Sequence, residues 1–236
     1  MELKRFFTFE PIKNNRIVLK DREHYHATKV CRLKKGFKII VNANTDKDYY
    51  CIIETIEKNS LTAVIEEVKD NPTYSDTDIT LYIGVCKELD TVVQKAVEMG
   101  VGELVPFVSQ NTNTDKIKRD RLEKIILESS KQCGRPNLMK IGDVTNFSNV
   151  IETAEDFDRA LMFYEYERDV KAGDILTTKD RKLGVIIGSE GGFSEEEKTK
   201  AQEKGWRIVT LGKRILRVQT AVVAALALCL EGIEKI

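Results

Sequence analysis

Two glycine-bearing stretches carry residue types suited to holding a charged small molecule: Ile187-Gly188-Ser189-Glu190-Gly191-Gly192-Phe193 and Leu211-Gly212-Lys213-Arg214-Ile215-Leu216-Arg217-Val218-Gln219-Thr220. Each follows a short apolar run that reads as a buried strand, and each leads into a helix. Glycine lets the backbone approach a ligand closely and adopt positive φ. The helix start that follows offers unbonded amides and the positive end of a dipole. A side chain added at Gly191 is therefore expected to intrude where backbone must meet the ligand. In the second stretch Arg214 and Arg217 flank the apolar pair Ile215-Leu216, a combination that fits an adenine-bearing cofactor beside a phosphate-rich substrate. Loops at one end of a parallel sheet line one crevice. The competing reading of each stretch is a plain strand-to-helix turn, the second with two solvated arginines. Neither stretch is a dinucleotide fingerprint or a phosphate-binding P-loop, because G-x-G-x-x-G and a terminal Gly-Lys-Ser/Thr are both absent.

Around these stretches the chain of 236 residues is long enough for one large or two modest domains, and 42% of it is hydrophobic. Net charge is zero, but residues 1–38 hold 11 Lys/Arg against 4 Asp/Glu, whereas residues 39–73 hold 3 against 7. A local basic surplus suits clustered phosphates, and it equally suits a solvated surface. Arg5, Lys29, Arg32, Lys34 and Lys35 are the cations that could grip an RNA backbone. His24 and His26 are the only histidines and have no cysteine partner, so no metal site is expected. The five cysteines, Cys31, Cys51, Cys86, Cys133 and Cys229, form no C-x-x-C pair, which points to a reducing compartment. No secretory signal is visible, and the longest apolar run, 221–230, is about half a membrane span. A cytoplasmic protein without membrane association is expected.

The elements that must position these residues follow from periodicity and turn chemistry. Strands are expected over 6–9, 16–19, 37–42, 49–56 and 61–68, interrupted by a helix over 23–32, the pattern of a small barrel. The polar, proline-broken stretch 70–75 reads as a linker. Strand–helix alternation follows: strands at 79–86, 104–108, 139–141, 159–164, 183–187 and 207–211, with helices at 89–99, 116–133, 146–154, after Ser194, and 220–233. Ser194-Glu195-Glu196-Glu197 spells a capping box. Such alternation implies a parallel sheet with helices on both faces. The last helix is apolar nearly all round, so it is expected to be buried, against the sheet or in a subunit interface.

In this order and spacing the motifs resemble the RsmE family of bacterial 16S ribosomal RNA uridine N3-methyltransferases, of the SPOUT or trefoil-knot class. Arg5-Phe6-Phe7 is similar to the family's opening motif, and His26 to Leu33 to its His-rich, Val-Leu-Arg-Leu-like segment. Lys95-Ala96-Val97-Glu98-Met99-Gly100-Val101 and Gln132-Cys133-Gly134-Arg135 resemble two further motifs. IGSEGGF and LGKRILRVQTA resemble its cofactor loops IGPEGGF and LGxRILRxETA. The resemblance implies a PUA-like β-barrel for RNA over 1–72 and an S-adenosylmethionine-binding α/β domain with a deep trefoil knot over 73–236. It further implies a homodimer acting on 16S rRNA of the small ribosomal subunit. By the same resemblance Phe163, Tyr164, Glu165, Ile187, Gly188, Ser189, Glu190, Gly191 and Gly192 hold the cofactor, with Leu211, Gly212, Ile215, Leu216, Arg217, Gln219 and Thr220. Arg5, His26, Lys29, Arg32, Gln132 and Arg135 face RNA. Arg217 and Glu190 are the catalytic candidates, Arg217 to favour uracilate-like charge and Glu190 to accept a proton or orient its loop.

The chain departs from the family pattern in places. Gln219 stands for a glutamate, Ser189 for a proline, Lys131 for an acidic residue, and Ser109-Gln110-Asn111 for Ser/Thr-Glu-Arg; Ala27 follows His26 where a second histidine is common. Changes near 110 and at 219 together would remove one ion pair in concert. Two other readings stay open on the sequence: a related enzyme that methylates ribose 2′-oxygens, and an RNA-binding relative that has lost catalysis.

Overall fold

The computed structural model describes residues 3–112 and 114–234; residues 1, 2, 113, 235 and 236 of the two expected domains lie outside them. The chain divides into two compact units, one of residues 1–74 with 130–138 and one of 75–129 with 139–236.

The first unit is built on a five-stranded sheet. Its strands are β1 (Arg5–Phe7), β2 (Arg16–Lys20), β3 (Lys38–Asn42), β4 (Lys47–Ile56) and β5 (Ser60–Asp70), in the order β1-β3-β4-β5-β2. β1 runs parallel to β3 and the other pairs are antiparallel. Irregularities between Tyr50 and Cys51 and between Ile53 and Thr55 break the β4–β5 register, and such bulges increase twist and curl a sheet. Alternate residues of the strands, among them Phe6, Ile17, Leu19, Ile39, Val41, Ile53 and Leu61, fill one fully buried core. The single helix expected over 23–32 is instead α1 (Asp21–Tyr25) running into a π-helix, His26–Val30. Ala27 joins the sheet core from this piece. Local sequence gave no sign of the wider winding, because an α- and a π-turn bury the same residue types.

The second unit is a wholly parallel sheet with strands β6 (Asp78–Gly84), β7 (Glu103–Val108), β8 (Lys140–Ile141), β9 (Thr145–Asn146), β10 (Arg159–Phe163), β11 (Lys182–Ile187) and β12 (Arg207–Val209). The order is β12-β10-β11-β6-β7-β8, with β9 also on β7. Its helices are α2 (Leu89–Glu98), α3 (Arg119–Cys133), α4 (Phe147–Ile151), α5 (Glu195–Glu203) and α6 (Val218–Glu234); the end of α3, from Ser130, groups with the first unit. The expected helix over 146–154 is shorter, since Thr145–Asn146 pairs with β7 and a 3-10 turn takes Ala154–Asp156. The capping box forms as expected: Glu197 N–H donates to Ser194 Oγ at 3.2 Å, and Ser194 N–H donates to Glu197 Oε2 at 2.9 Å. Val222, Ala225, Leu226 and Cys229 bury one side of α6, which packs on α2, β11 and the 3-10 turn Ala172–Asp174. Val223 and Leu228 remain exposed.

Candidate functional site

Sheet register builds the site. Phe163, the last residue of β10, lies opposite Ile187, the last of β11, and opposite Val209, the last of β12. All three strands point the same way, so the loops after them leave the sheet side by side. They enclose a cavity of about 580 Å³, within the range of small-molecule sites. Phe163, Tyr164 and Glu165 line it from β10, Ile187 to Gly192 from β11, and Leu211, Gly212, Ile215, Leu216, Arg217 and Gln219 from β12 and α6. Thr220 does not line it: it is exposed one residue past Gln219, a turn of about 100° on a helix. Six wall residues, Lys87, Glu88, Tyr166, Arg214, Val218 and Ala221, lay outside the expected cofactor set. Lys87 and Glu88 follow β6, whose pairing with β11 brings them here; a strand partner this distant leaves no local signal.

The glycine loop is rigidly dressed. Gly192 adopts φ +64°, and a β-carbon there would also overlap the Glu165 carboxylate, which accepts the Phe193 N–H at 3.2 Å. The Asn111 side-chain amide donates to the Gly191 and Gly192 carbonyls at 3.1 and 3.4 Å. The departure at Asn111 therefore works as a clamp on this loop, while the Gln110 backbone N–H donates to Glu197 Oε1 on α5 at 3.0 Å. The expectation for Gly191 is corrected: a β-carbon there would meet Asn111 Cβ at 2.7 Å and its carbonyl oxygen at 2.8 Å, the clamp and not the cavity. Glu190 Oε1 accepts the Lys87 N–H at 2.8 Å. Burial works against its ionisation, but the amides of Lys87 and of Glu190 itself outweigh burial and hold the carboxyl below the ordinary 4.5. A carboxylate so held orients two loops and is a weak proton acceptor.

The opposite wall is cationic. Among the described residues neither Arg214 nor Arg217 makes a side-chain hydrogen bond or ion pair, and both are exposed. The Gly212 N–H donates to Thr210 Oγ1 at 3.0 Å, and Thr210 Oγ1 donates to the Glu167 carbonyl at 2.7 Å, which anchors the start of this loop. Beyond it, Ile215 is 73% exposed.

The residues expected to face RNA all belong to the first unit, but they differ in availability. Arg5 is committed inside: its guanidinium forks onto Asp48 at 2.5 and 3.1 Å and also reaches Asn42 Oδ1. Burial alone would raise the Asp48 carboxyl, yet hydrogen bonds from Arg5, Asn71 and Asn42 hold it below its ordinary value. Arg135 is buried and bonds Asn137 Oδ1 at 3.1 Å. Both arginines are thus already engaged with protein partners inside the first unit. Lys29, Arg32 and Gln132 are exposed, and His26 is half-buried. Lys131 links the latter to the core, donating to buried Glu23 at 2.9 Å and to His26 Nδ1 at 3.3 Å. An ammonium only donates, so Nδ1 is the acceptor in this contact. Among the described residues no group of three His, Cys, Asp or Glu could hold a metal ion, and no helix is long and apolar enough to cross a membrane.

A parallel sheet with its cavity at the strand ends defines a ligand-binding α/β class, and comparison with known proteins specifies it. The RNA methyltransferase domain model matches residues 73–230. Ribosomal RNA small subunit methyltransferase E of Mesomycoplasma hyopneumoniae (strain 232) is 31% identical over 236 residues, covering 96% of this chain and 99% of that protein. The protein of the same name from Bacillus subtilis (strain 168) is 29% identical, covering 87% of this chain and 86% of its own. Among solved structures, ribosomal RNA small subunit methyltransferase E from Neisseria gonorrhoeae, bound to S-adenosyl methionine, superposes with a TM-score of 0.89 at 27% identity, covering 98% of this chain and 97% of that one. The chain belongs to the RNA methyltransferase domain family and, within it, to the ribosomal RNA small subunit methyltransferase E family.

Proposed function

We propose that this protein transfers the methyl group of S-adenosylmethionine to N3 of a uridine in 16S rRNA of the small ribosomal subunit. The observation that carries this reading is the cavity at the ends of β10, β11 and β12, with glycine backbone on one side and unpaired Arg217 on the other. The residues present fit the cofactor: the volume suits a nucleoside, the Gly188–Gly192 backbone leaves room for close approach, and Leu211, Ile215 and Leu216 offer apolar surface to a base. Bound there, S-adenosylmethionine supplies an electrophilic methyl on a sulfonium. The chain's own contribution is geometric and electrostatic. Uridine N3 is a poor nucleophile until its proton leaves, so the protein must fix the base in line and favour the anionic ring. Arg217 is placed in this reading to face that charge, and Glu190 to keep the 85–88 loop against the glycine loop.

The finer architecture belongs to the same proposal. The 1–72 region acts as a PUA-like RNA-binding barrel, supported by its curled five-stranded sheet, and 73–236 as the catalytic domain. A trefoil knot is supported by strand order: β11 leads through α5 to β12 on the far side of β10, and α6 then returns to pack on β11 and on the turn at 172–174 within the β10–β11 connection. A homodimer is supported by the exposed apolar residues Val223 and Leu228 on α6. A cytoplasmic setting is supported by the five free cysteines.

The test is nucleoside mass spectrometry of small-subunit rRNA incubated with purified protein and S-adenosylmethionine. N3-methyluridine is the expected product. A ribose 2′-O-methyl nucleoside, or no modification, contradicts the proposal.

A further inference from the structure

The first unit carries one surface that its own packing does not explain. The piece from α1 into the π-helix turns Glu23 and Ala27 inward, both buried. On the outside lie Tyr25, 62% exposed, and Val30, 60% exposed. Cys31 N–H donates to the His26 carbonyl at 2.9 Å, an i to i−5 bond whose wide winding stacks residue 25 over 29 and 30. An aromatic ring, an aliphatic side chain and the Lys29 ammonium thus lie on adjacent turns. Among the described residues the side chains of Tyr25, Lys29 and Arg32 have no hydrogen-bond or ion-pair partner.

Arg32 adds a second, independent observation. It closes the helical piece at φ +53°, while Leu33 N–H reaches back to the Ala27 carbonyl at 3.0 Å. That position normally takes glycine, because a β-carbon is strained there. A bulky cation in a strained backbone state, next to a π-turn, is the kind of feature that gathers at ligand-binding sites. Single cations or single exposed rings are ordinary on a protein surface; here they fall within one short segment, 25–32.

We infer that Tyr25, Lys29, Val30 and Arg32 form a stacking platform for an unpaired RNA strand. The inference rests on the reading of RNA as substrate and deepens it by stating which form of RNA this unit takes. An exposed base offers a flat π-face to Tyr25, and its neighbouring phosphates offer charge to Lys29 and Arg32. A duplex hides its base faces and leaves the ring unused. The basic surplus of residues 1–38 favours a polyanion over an acidic-poor protein partner. Glu23, one of the few acids there, is buried against Lys131 and does not oppose it.

The experiment is fluorescence anisotropy of the full chain with a labelled single-stranded oligoribonucleotide and with a blunt duplex of the same sequence. Tyr25→Ala is expected to weaken single-strand binding about tenfold, and Tyr25→Phe to keep it, since the ring and not the hydroxyl stacks. Arg32→Gly is expected to weaken binding without lowering the melting temperature, a pairing that a merely structural arginine would not give. Wild-type affinity in Tyr25→Ala, equal loss in Tyr25→Phe, or tighter binding to the duplex overturns the inference. Parallel calorimetry with S-adenosylmethionine separates the two readings: absence of heat in the wild-type protein counts against the proposed function, whereas the platform stands or falls on the anisotropy alone.

Discussion

Between β11 and α5 the loop at 188–193 is held by Asn111 from one side and Glu165 from another, and Glu190 ties it to the Lys87 amide. The loop between β12 and α6 is anchored only at its start, through Thr210, and then presents Arg214, Ile215 and Arg217 without side-chain bonds among the described residues. One wall of the cavity is preorganised backbone, the other a set of uncommitted side chains. The contrast assigns different tasks. A fixed wall loses little entropy on gripping a constant ligand, whereas free cations suit a partner whose charge develops during reaction.

Substitutions in the two walls should therefore separate rate from affinity. The largest effect is expected for Arg217→Ala: the methyl-transfer rate falls by about a hundredfold or more, with S-adenosylmethionine affinity largely kept, as rapid-quench kinetics and calorimetry would report. Equal turnover would remove Arg217 from the chemistry. Next comes Gly192→Ala, which forces a left-handed backbone and an overlap with Glu165; affinity for the cofactor is expected to drop roughly tenfold or more in a calorimetric titration. Asn111→Ala leaves the loop in place but unclamped, so a loss of about fivefold is expected, the worth of one ordinary hydrogen bond. The smallest effect is expected from acid. Because the Glu190 carboxyl is held below its ordinary value, it stays ionised at neutral and mildly acidic pH, and cofactor affinity followed by calorimetry over that range should be nearly flat. A steep loss well above pH 4.5 would show the glycine loop to be less firmly held than its hydrogen bonds imply.

Much of this contrast was legible in the order of residues. The two glycine-bearing loops, the strands before them and the capping box at Ser194 follow local rules, and the structure brings the loops into one cavity. What the sequence could not disclose depends on partners far along the chain. Asn111 read as a departure from a pattern, and only the fold shows it gripping carbonyls 80 residues away. Arg5 reads as a phosphate anchor by residue type and Arg135 as RNA-facing by resemblance, and only the fold shows the first bonded to Asp48 and the second to Asn137. Gly191 lines the cavity, but only the fold shows that a side chain added there would meet Asn111. The placement of β12 beside β10 obeys no local signal, since any of these apolar strands could pair with any other.

The division of labour between the two walls is tested most directly by a crystal structure of the protein soaked with S-adenosylmethionine. The expected result is the nucleoside lodged against the backbone of 187–192 and 211–216, with the Arg217 guanidinium turned away from the cofactor carboxylate and open to a base. A cofactor found elsewhere, or one whose carboxylate is paired with Arg217, would contradict it.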